Sequence, residues 1–167
     1  HPDVVKRLRD DYERWWTSLE PALEQTVRYG LGGAENPTTL ASHDWLMPGV
    51  EQAAWHQSHI KRGSLINGAW AVYIERPGTY EIALYRWAPC LNKAMGVEQA
   101  RLTVGEVDEK ISLEPTAVSA TFRAKLEKGP AMLQTWLTRP DGQQPPGRGD
   151  EGTAADWFKL GLWARSK

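Results

Sequence analysis

Residues 69–87 read Ala69-Trp70-Ala71-Val72-Tyr73-Ile74-Glu75-Arg76-Pro77-Gly78-Thr79-Tyr80-Glu81-Ile82-Ala83-Leu84-Tyr85-Arg86-Trp87, and their alternation decides the fold class. In the second half Tyr80, Ile82, Leu84 and Arg86 share one face while Glu81, Ala83, Tyr85 and Trp87 share the other, the period of a strand. Ala69–Glu75 is a second run of strand-forming residues. Arg76-Pro77-Gly78-Thr79 between them carries good turn chemistry. The two runs are expected to form a strand pair.

Outward from this pair the same period recurs. Towards the N-terminus, Thr26–Tyr29 and Thr38–Leu40 read as short strands punctuated by Gly30, Gly32, Gly33 and Pro37, and residues 43–63 read as loop. Towards the C-terminus, Ala100–Val104, Ser119–Leu126 and Ala131–Thr138 read as strands. In the second of these, Ala120, Phe122, Ala124 and Leu126 alternate with Thr121, Arg123 and Lys125, as in a half-solvated sheet. Residues 139–153 form a long Pro/Gly/polar loop, and Trp157–Trp163 reads as the last strand. Many short strands with no helices between them predict a jelly-roll-like antiparallel β-sandwich. No internal repeat is present.

The N-terminal stretch departs from this period. In His1-Pro2-Asp3-Val4-Val5-Lys6-Arg7-Leu8-Arg9-Asp10-Asp11-Tyr12-Glu13-Arg14-Trp15-Trp16, residues Val5, Leu8, Tyr12, Trp15 and then Leu19 recur at three- and four-residue spacing. That places them on one face of an amphipathic helix, with Pro2 and Asp3 suited to its first turn. The expected architecture is therefore a mainly β fold with one N-terminal α-helix. The segment closely resembles the terminal helix of the sulfatase family, whose chains often end in a pattern like His-Pro-Glu-Val-Val-x-x-Leu-x-x-x-Tyr-x-x-Trp-Trp. The resemblance implies a C-terminal fragment of a bacterial, arylsulfatase-like enzyme. Residues 1–20 would be the last helix of the catalytic region and residues 21–167 an accessory β-sandwich domain.

A further run, Glu35-Asn36-Pro37-Thr38-Thr39-Leu40-Ala41-Ser42-His43-Asp44-Trp45, is followed by Trp55-His56-Gln57-Ser58-His59-Ile60-Lys61-Arg62-Gly63 and Asn67-Gly68-Ala69-Trp70. With Tyr85-Arg86-Trp87-Ala88-Pro89, this order resembles the accessory C-terminal region of a subset of bacterial sulfatases. The likeness covers most of the chain and concerns architecture rather than chemistry. Sulfatases use a formylglycine made from the Cys or Ser of a Cys/Ser-x-Pro-x-Arg motif, beside a calcium site. That motif is absent from this sequence. No catalytic residue and no cofactor are therefore expected in the fragment, with calcium expected in the parent catalytic domain. The resemblance also implies export to the periplasm or the extracellular space.

Composition narrows the partners. The 167 residues suffice for one domain with a real core, and the formal net charge is −1. Lys and Arg are scattered among similar numbers of Asp and Glu, so the footprint of a nucleic-acid binder is missing. No apolar run approaches the ~20 residues that span a bilayer. The single Cys90, in Pro-Cys-Leu-Asn, has no zinc-like spacing around it and is expected to be a buried or partly buried inert thiol. Nine Trp are the compositional outlier. Such an excess belongs either to an aromatic β core or to a sugar-stacking surface.

Other chemistries are poorly supported. His43-Asp44 with Ser42 or Ser58 would make a hydrolase constellation, but no nucleophile elbow is present, and adjacent residues of an extended segment face opposite ways. His56-x-x-His59 with His43 could ligate a metal only if the pair lay on a helical turn. A binding surface fits better, because stacking aromatics beside hydrogen-bonding side chains on sandwich loops suit sugar recognition. The candidate ligand-binding residues are His43, Trp45, Trp55, Gln57, His59, Arg62 and Trp87. Arg62, Arg86 and Lys61 are further candidates for pairing with a sulfate. Two functions remain open. In one, the domain binds or positions a sulfated carbohydrate substrate for the parent enzyme. In the other, it is a structural module that packs on and stabilises the catalytic domain, or mediates assembly, without binding ligand.

Overall fold

A computed structural model describes residues 1–46, 67–138 and 161–166, the last of these as backbone only. Helix α1 spans Pro2–Leu23. The strands are β1 (Tyr29–Leu31), β2 (Thr38–Leu40), β3 (Ala69–Ile74), β4 (Gly78–Tyr85), β5 (Gln99–Val104), β6 (Val107–Ser112), β7 (Ala120–Leu126), β8 (Gly129–Thr138) and β9 (Gly161–Ser166). They make a five-stranded sheet in the order β1-β3-β8-β5-β6 and a four-stranded sheet in the order β2-β9-β4-β7. Apart from the β5–β6 hairpin, successive strands alternate between the sheets, giving a jelly-roll-like sandwich with open edges. The four-stranded sheet is antiparallel, but β1 runs parallel to β3, so the five-stranded sheet is mixed rather than purely antiparallel.

The core lies between the sheets. Trp70, Val72 and Ile74 of β3 enter it from one side and Tyr80, Ile82 and Leu84 of β4 from the other, joined by Leu102, Phe122, Leu133 and Leu137. Strands β3 and β4 therefore face each other across the core and do not pair, contrary to the strand pair expected from sequence. Their pairing partners are β1 and β8 for β3, and β7 and β9 for β4. Inward alternation is the same for strands side by side and strands face to face, so the pattern is blind to this choice. The link 75–77 simply crosses from one sheet to the other.

Three boundaries also differ from expectation. Strand β1 begins at Tyr29 rather than Thr26, and just before it the Arg28 side chain donates to the Ala131 carbonyl at 3.1 Å. The helix continues through Pro21 to Leu23. Proline keeps a helical φ there but forfeits one backbone bond and crowds the Thr17 carbonyl, and the helix ends two residues later. Strand β6 was not anticipated: its run Val-Asp-Glu-Lys-Ile-Ser is charged and half-buried, as suits a strand at a sheet edge. A two-residue turn at Gly105 and Glu106, with Gly105 at φ 58°, closes it onto β5. The loop 139–153 and residues 157–160 of the expected last strand lie outside the described residues.

Register fixes which described segments share an end of the sandwich. Ala69, Tyr85, Gln99, Ser112, Ala120 and Thr138 all fall at one end, and the described loop stretches 41–46, 67–68, 86–98 and 113–119 adjoin it. The other end carries the short links 75–77, 105–106 and 127–128.

Candidate functional site

A single 3-10 turn, Ser42–Asp44, follows β2 at the loop-bearing end. It is pinned by Asp44, whose carboxylate accepts the Ala41 N–H at 2.6 Å and the Tyr29 hydroxyl at 3.0 Å. That bond joins the turn to β1. It also raises the Tyr29 phenol above its ordinary pKa, chiefly because the donated hydrogen bond to a carboxylate holds the proton, with burial and the Asp44 charge adding to the effect. Beyond the turn, Leu46 exchanges backbone bonds with Ala69 at 2.8 and 3.3 Å, tying the segment to the start of β3.

Trp45 sits between these anchors, 9% exposed. Its indole meets Trp70 edge-on, and Gly68 lies so close that an added Cβ would stand 2.6 Å from the Trp45 Cβ. The Trp70 indole N–H donates to the Ala41 carbonyl at 2.8 Å. The Trp45 indole N–H, itself sealed from solvent, has no acceptor among the described residues. A hollow of about 460 Å³ opens beside this group, between the residues that follow α1 and the turn. Tyr29, His43, Asp44 and Trp45 supply its polar groups, and Leu23, Val27, Leu46 and Ala71 supply apolar wall.

Of the residues proposed from sequence, His43 and Trp45 come together on this hollow, His43 exposed and Trp45 buried. His43 and Asp44 lie on a 3-10 turn and not on an extended segment, so both reach the same hollow. The two Asp44 bonds above go to Ala41 and Tyr29, and Ser42 is buried. Trp87 lies apart, in the connection after β4. It is half-buried, its indole N–H donates to the Ala94 carbonyl at 3.0 Å, and the Lys93 ammonium sits 3.8 Å from the ring centroid. Arg86 donates to the Met95 carbonyl at 2.5 Å and also lies over the Trp87 ring, so its guanidinium serves this loop. Trp55, Gln57, His59 and Arg62, together with His56, Ser58 and Lys61, lie outside the described residues.

Cys90 is exposed, contrary to the buried or partly buried thiol expected, and lies on a single 3-10 turn, Pro89–Leu91. Among the described residues no three His, Cys, Asp or Glu side chains gather as a metal group.

Two features escaped the sequence reading. Tyr29 had no signal beyond being an aromatic beside glycines, since its partner Asp44 is fixed by tertiary contact. The second is a cluster on the outer face of the five-stranded sheet. There Arg101 donates two bonds to Asp108, at 2.7 and 2.6 Å, and lies 4.7 Å from the Trp136 ring centroid. The Gly105-Glu106 turn would have placed Arg101 and Asp108 diagonally across a hairpin.

The helix presents the other candidate surface. No residue of α1 is buried, and Val5, Leu8, Tyr12 and Trp15 are 65%, 59%, 53% and 54% exposed along one face. Tyr12 packs against Trp15 and Trp16, with ring centroids 5.7 and 6.4 Å apart. The opposite face carries ion pairs such as Lys6 to Asp10 at 2.8 Å. No helix is long and apolar enough to cross a membrane among the described residues.

By sequence, no protein-family model and no curated protein matches the chain. Among solved structures it is similar to a ruminal GH26 endo-β-1,4-mannanase, at 12% identity and a TM-score of 0.44, over 84% of this chain and 27% of that one. The chain thus spans about a quarter of that enzyme's length.

Proposed function

We propose that the chain is the non-catalytic C-terminal part of a secreted sulfatase, with α1 docking on the catalytic region and the sandwich carried behind it. The observation that supports this most is the exposed stripe of α1. A continuous row of Val5, Leu8, Tyr12 and Trp15 is left in water by the sandwich, on the segment whose residue order resembles a sulfatase terminal helix. Burying each such side chain is worth about 1.5–3 kcal/mol, so the row is a strong candidate for a partner surface. The occupant is the catalytic region of the same protein, which would bind its calcium and perform the hydrolysis.

The test is co-expression of residues 1–167 with the catalytic region encoded in the same gene. The two are expected to co-purify, and the double variant Tyr12→Ser/Trp15→Ser to separate them. A gene with no sulfatase catalytic region, or association indifferent to both substitutions, overturns the proposal.

A second reading, in which the sandwich holds a carbohydrate segment of the sulfated substrate, is favoured by the hollow at Tyr29, His43 and Trp45. Calorimetric titration with sulfated and desulfated polysaccharides at moderate salt tests it, since salt screens nonspecific charge attraction. Saturable binding supports it, and no binding across the panel sinks it.

A further inference from the structure

We infer that the docking surface of α1 continues onto the sandwich, where the hollow beside Val27 and Leu46 seats an apolar side chain of the catalytic region flanked by a lysine or arginine. This inference rests on the docking of α1 proposed above, and it gives the hollow to that interface rather than to a carbohydrate. The sandwich is then fixed against the catalytic region instead of trailing behind the helix.

The apolar surface does not stop with the helix. Trp15, Leu19 and Leu23 follow one another at four-residue spacing, as neighbours on one helix face do, and α1 ends at Leu23. Leu23 then walls the hollow together with Val27 and Leu46, and the three are 61%, 81% and 45% exposed. Of the eleven large apolar side chains exposed among the described residues, nine lie on α1 or on this hollow. A contiguous exposed patch marks an interaction surface, whereas singly scattered apolar residues do not. The Tyr29 hydroxyl and the Asp44 carboxylate are bonded to each other, so the surface left for a partner is apolar wall. Area points the same way. A stable interface takes about 20–30 residues from each side, more than one face of a 22-residue helix supplies. The hollow of about 460 Å³ adjoins the end of that face.

Charge gives the partner its chemistry. From Trp15 to Val27 the chain carries Glu20 and Glu24 but no lysine or arginine, and Asp44 brings a third carboxylate to the hollow. Neither glutamate joins an ion pair among the described residues. Arg28, the next cation along the chain, donates to the Ala131 carbonyl. The complementary surface therefore has an apolar centre with basic residues at its rim, since interfaces match opposite potentials and place their charges outside the buried core.

The experiment is amide hydrogen exchange on the whole product of the encoding gene, set beside the 167-residue chain. Peptides covering α1, residues 23–29 and residues 41–46 are expected to exchange about tenfold more slowly in the whole product. Val27→Asp/Leu46→Asp, at two exposed positions, is expected to restore fast exchange at 23–29 and 41–46, while unchanged exchange in β4 and β7 reports an intact sandwich. Glu20→Lys/Glu24→Lys should weaken the same protection. Cations suit a helix C-terminus, so that loss reads the interface and not the helix. Protection confined to α1, or protection of the hollow that withstands either pair of substitutions, overturns the inference and leaves the docking of α1 standing. No protection in any of these peptides, or a gene with no catalytic region, removes both. The 167-residue chain alone is expected to sediment as a monomer. A dimer that slows the same peptides makes the occupant a second copy and overturns the inference.

Discussion

The indoles of Trp45 and Trp70 meet edge to face, with ring centroids 5.6 Å apart and 62° between their planes. Aromatic pairs favour this geometry because the positive ring edge meets the negative ring face. The contact joins the loop that carries His43 to the first inward residue of β3, and so couples the candidate site to the core. Trp70 donates its N–H to the Ala41 carbonyl, whereas the buried Trp45 N–H meets no acceptor among the described residues.

Gly68 sets how closely these parts approach. An added Cβ would stand 2.6 Å from the Trp45 Cβ and 2.7 Å from its Cγ, atoms too near the backbone to swing aside. Gly68→Ala is expected to cost about 1–3 kcal/mol, the usual range for overpacking, in urea-induced unfolding. The Trp45 indole signal should shift with it, and an unchanged midpoint would refute the close approach.

Tyr80 carries the bond that clamps the other end. Its buried hydroxyl lies 2.7 Å from the Arg76 carbonyl and 3.1 Å from that of Leu31. The Leu31 carbonyl also accepts the Glu75 N–H at 3.0 Å, so Tyr80→Phe strands mainly the Arg76 carbonyl. A loss of about 1 kcal/mol is expected.

The same residue gives an alkaline signature. Burial raises the Tyr80 pKa above 10.0, outweighing the lowering effects of Arg76. Above that pH the unfolded state releases its proton while the folded state keeps it, so the unfolded state binds fewer protons and stability falls as pH rises. Stability should be flat below pH 10 on this account and decline above it, with a shallower decline in Tyr80→Phe. Tyr29 is shifted the same way but is more exposed, so it should contribute less.

Thr135 points into the core between Leu133 and Leu137, and its buried hydroxyl has no partner among the described residues. Thr135→Val keeps the shape and removes the unsatisfied oxygen. Thermal unfolding should show stability unchanged or raised by up to about 1 kcal/mol. A loss larger than that would mean the hydroxyl is satisfied.

On the outer sheet face, the paired bonds from Arg101 hold the Asp108 carboxyl below its ordinary pKa of 3.8. The stabilisation this pair gives is present above that value and lost as pH falls through the lowered one. Arg101→Gln should return the Asp108 titration, followed by carboxyl carbon shifts, to the ordinary range.

The sandwich should ignore α1. Because Tyr12 and Trp15 touch none of the core, Tyr12→Ser/Trp15→Ser is expected to leave the unfolding midpoint of the sandwich within about 0.5 kcal/mol. A larger loss would mean that the stripe packs on the sandwich rather than awaiting a partner.

Local periodicity determined much of this protein. The stripe of Val5, Leu8, Tyr12 and Trp15 specified a helix, and the alternations in Tyr80–Leu84 and Ala120–Leu126 specified strands with one face in a core. Both follow from the geometry of a few consecutive residues, and so they can be read without knowing what lies opposite. Tertiary structure alone decided the rest. Whether β3 and β4 lie side by side or face to face depends on partners more than forty residues away for β3, and alternation carries no trace of them. The charged, half-polar run of β6 was equally silent, because an edge strand needs only one apolar face and one neighbour. At the site, sequence singled out His43 and Trp45 as residue types. Only folding brought Tyr29 and Asp44 within a hydrogen bond and buried Trp45 against Trp70. Burial and the satisfaction of polar groups are properties of the packed chain, which is why sequence could suggest the residues but not the site.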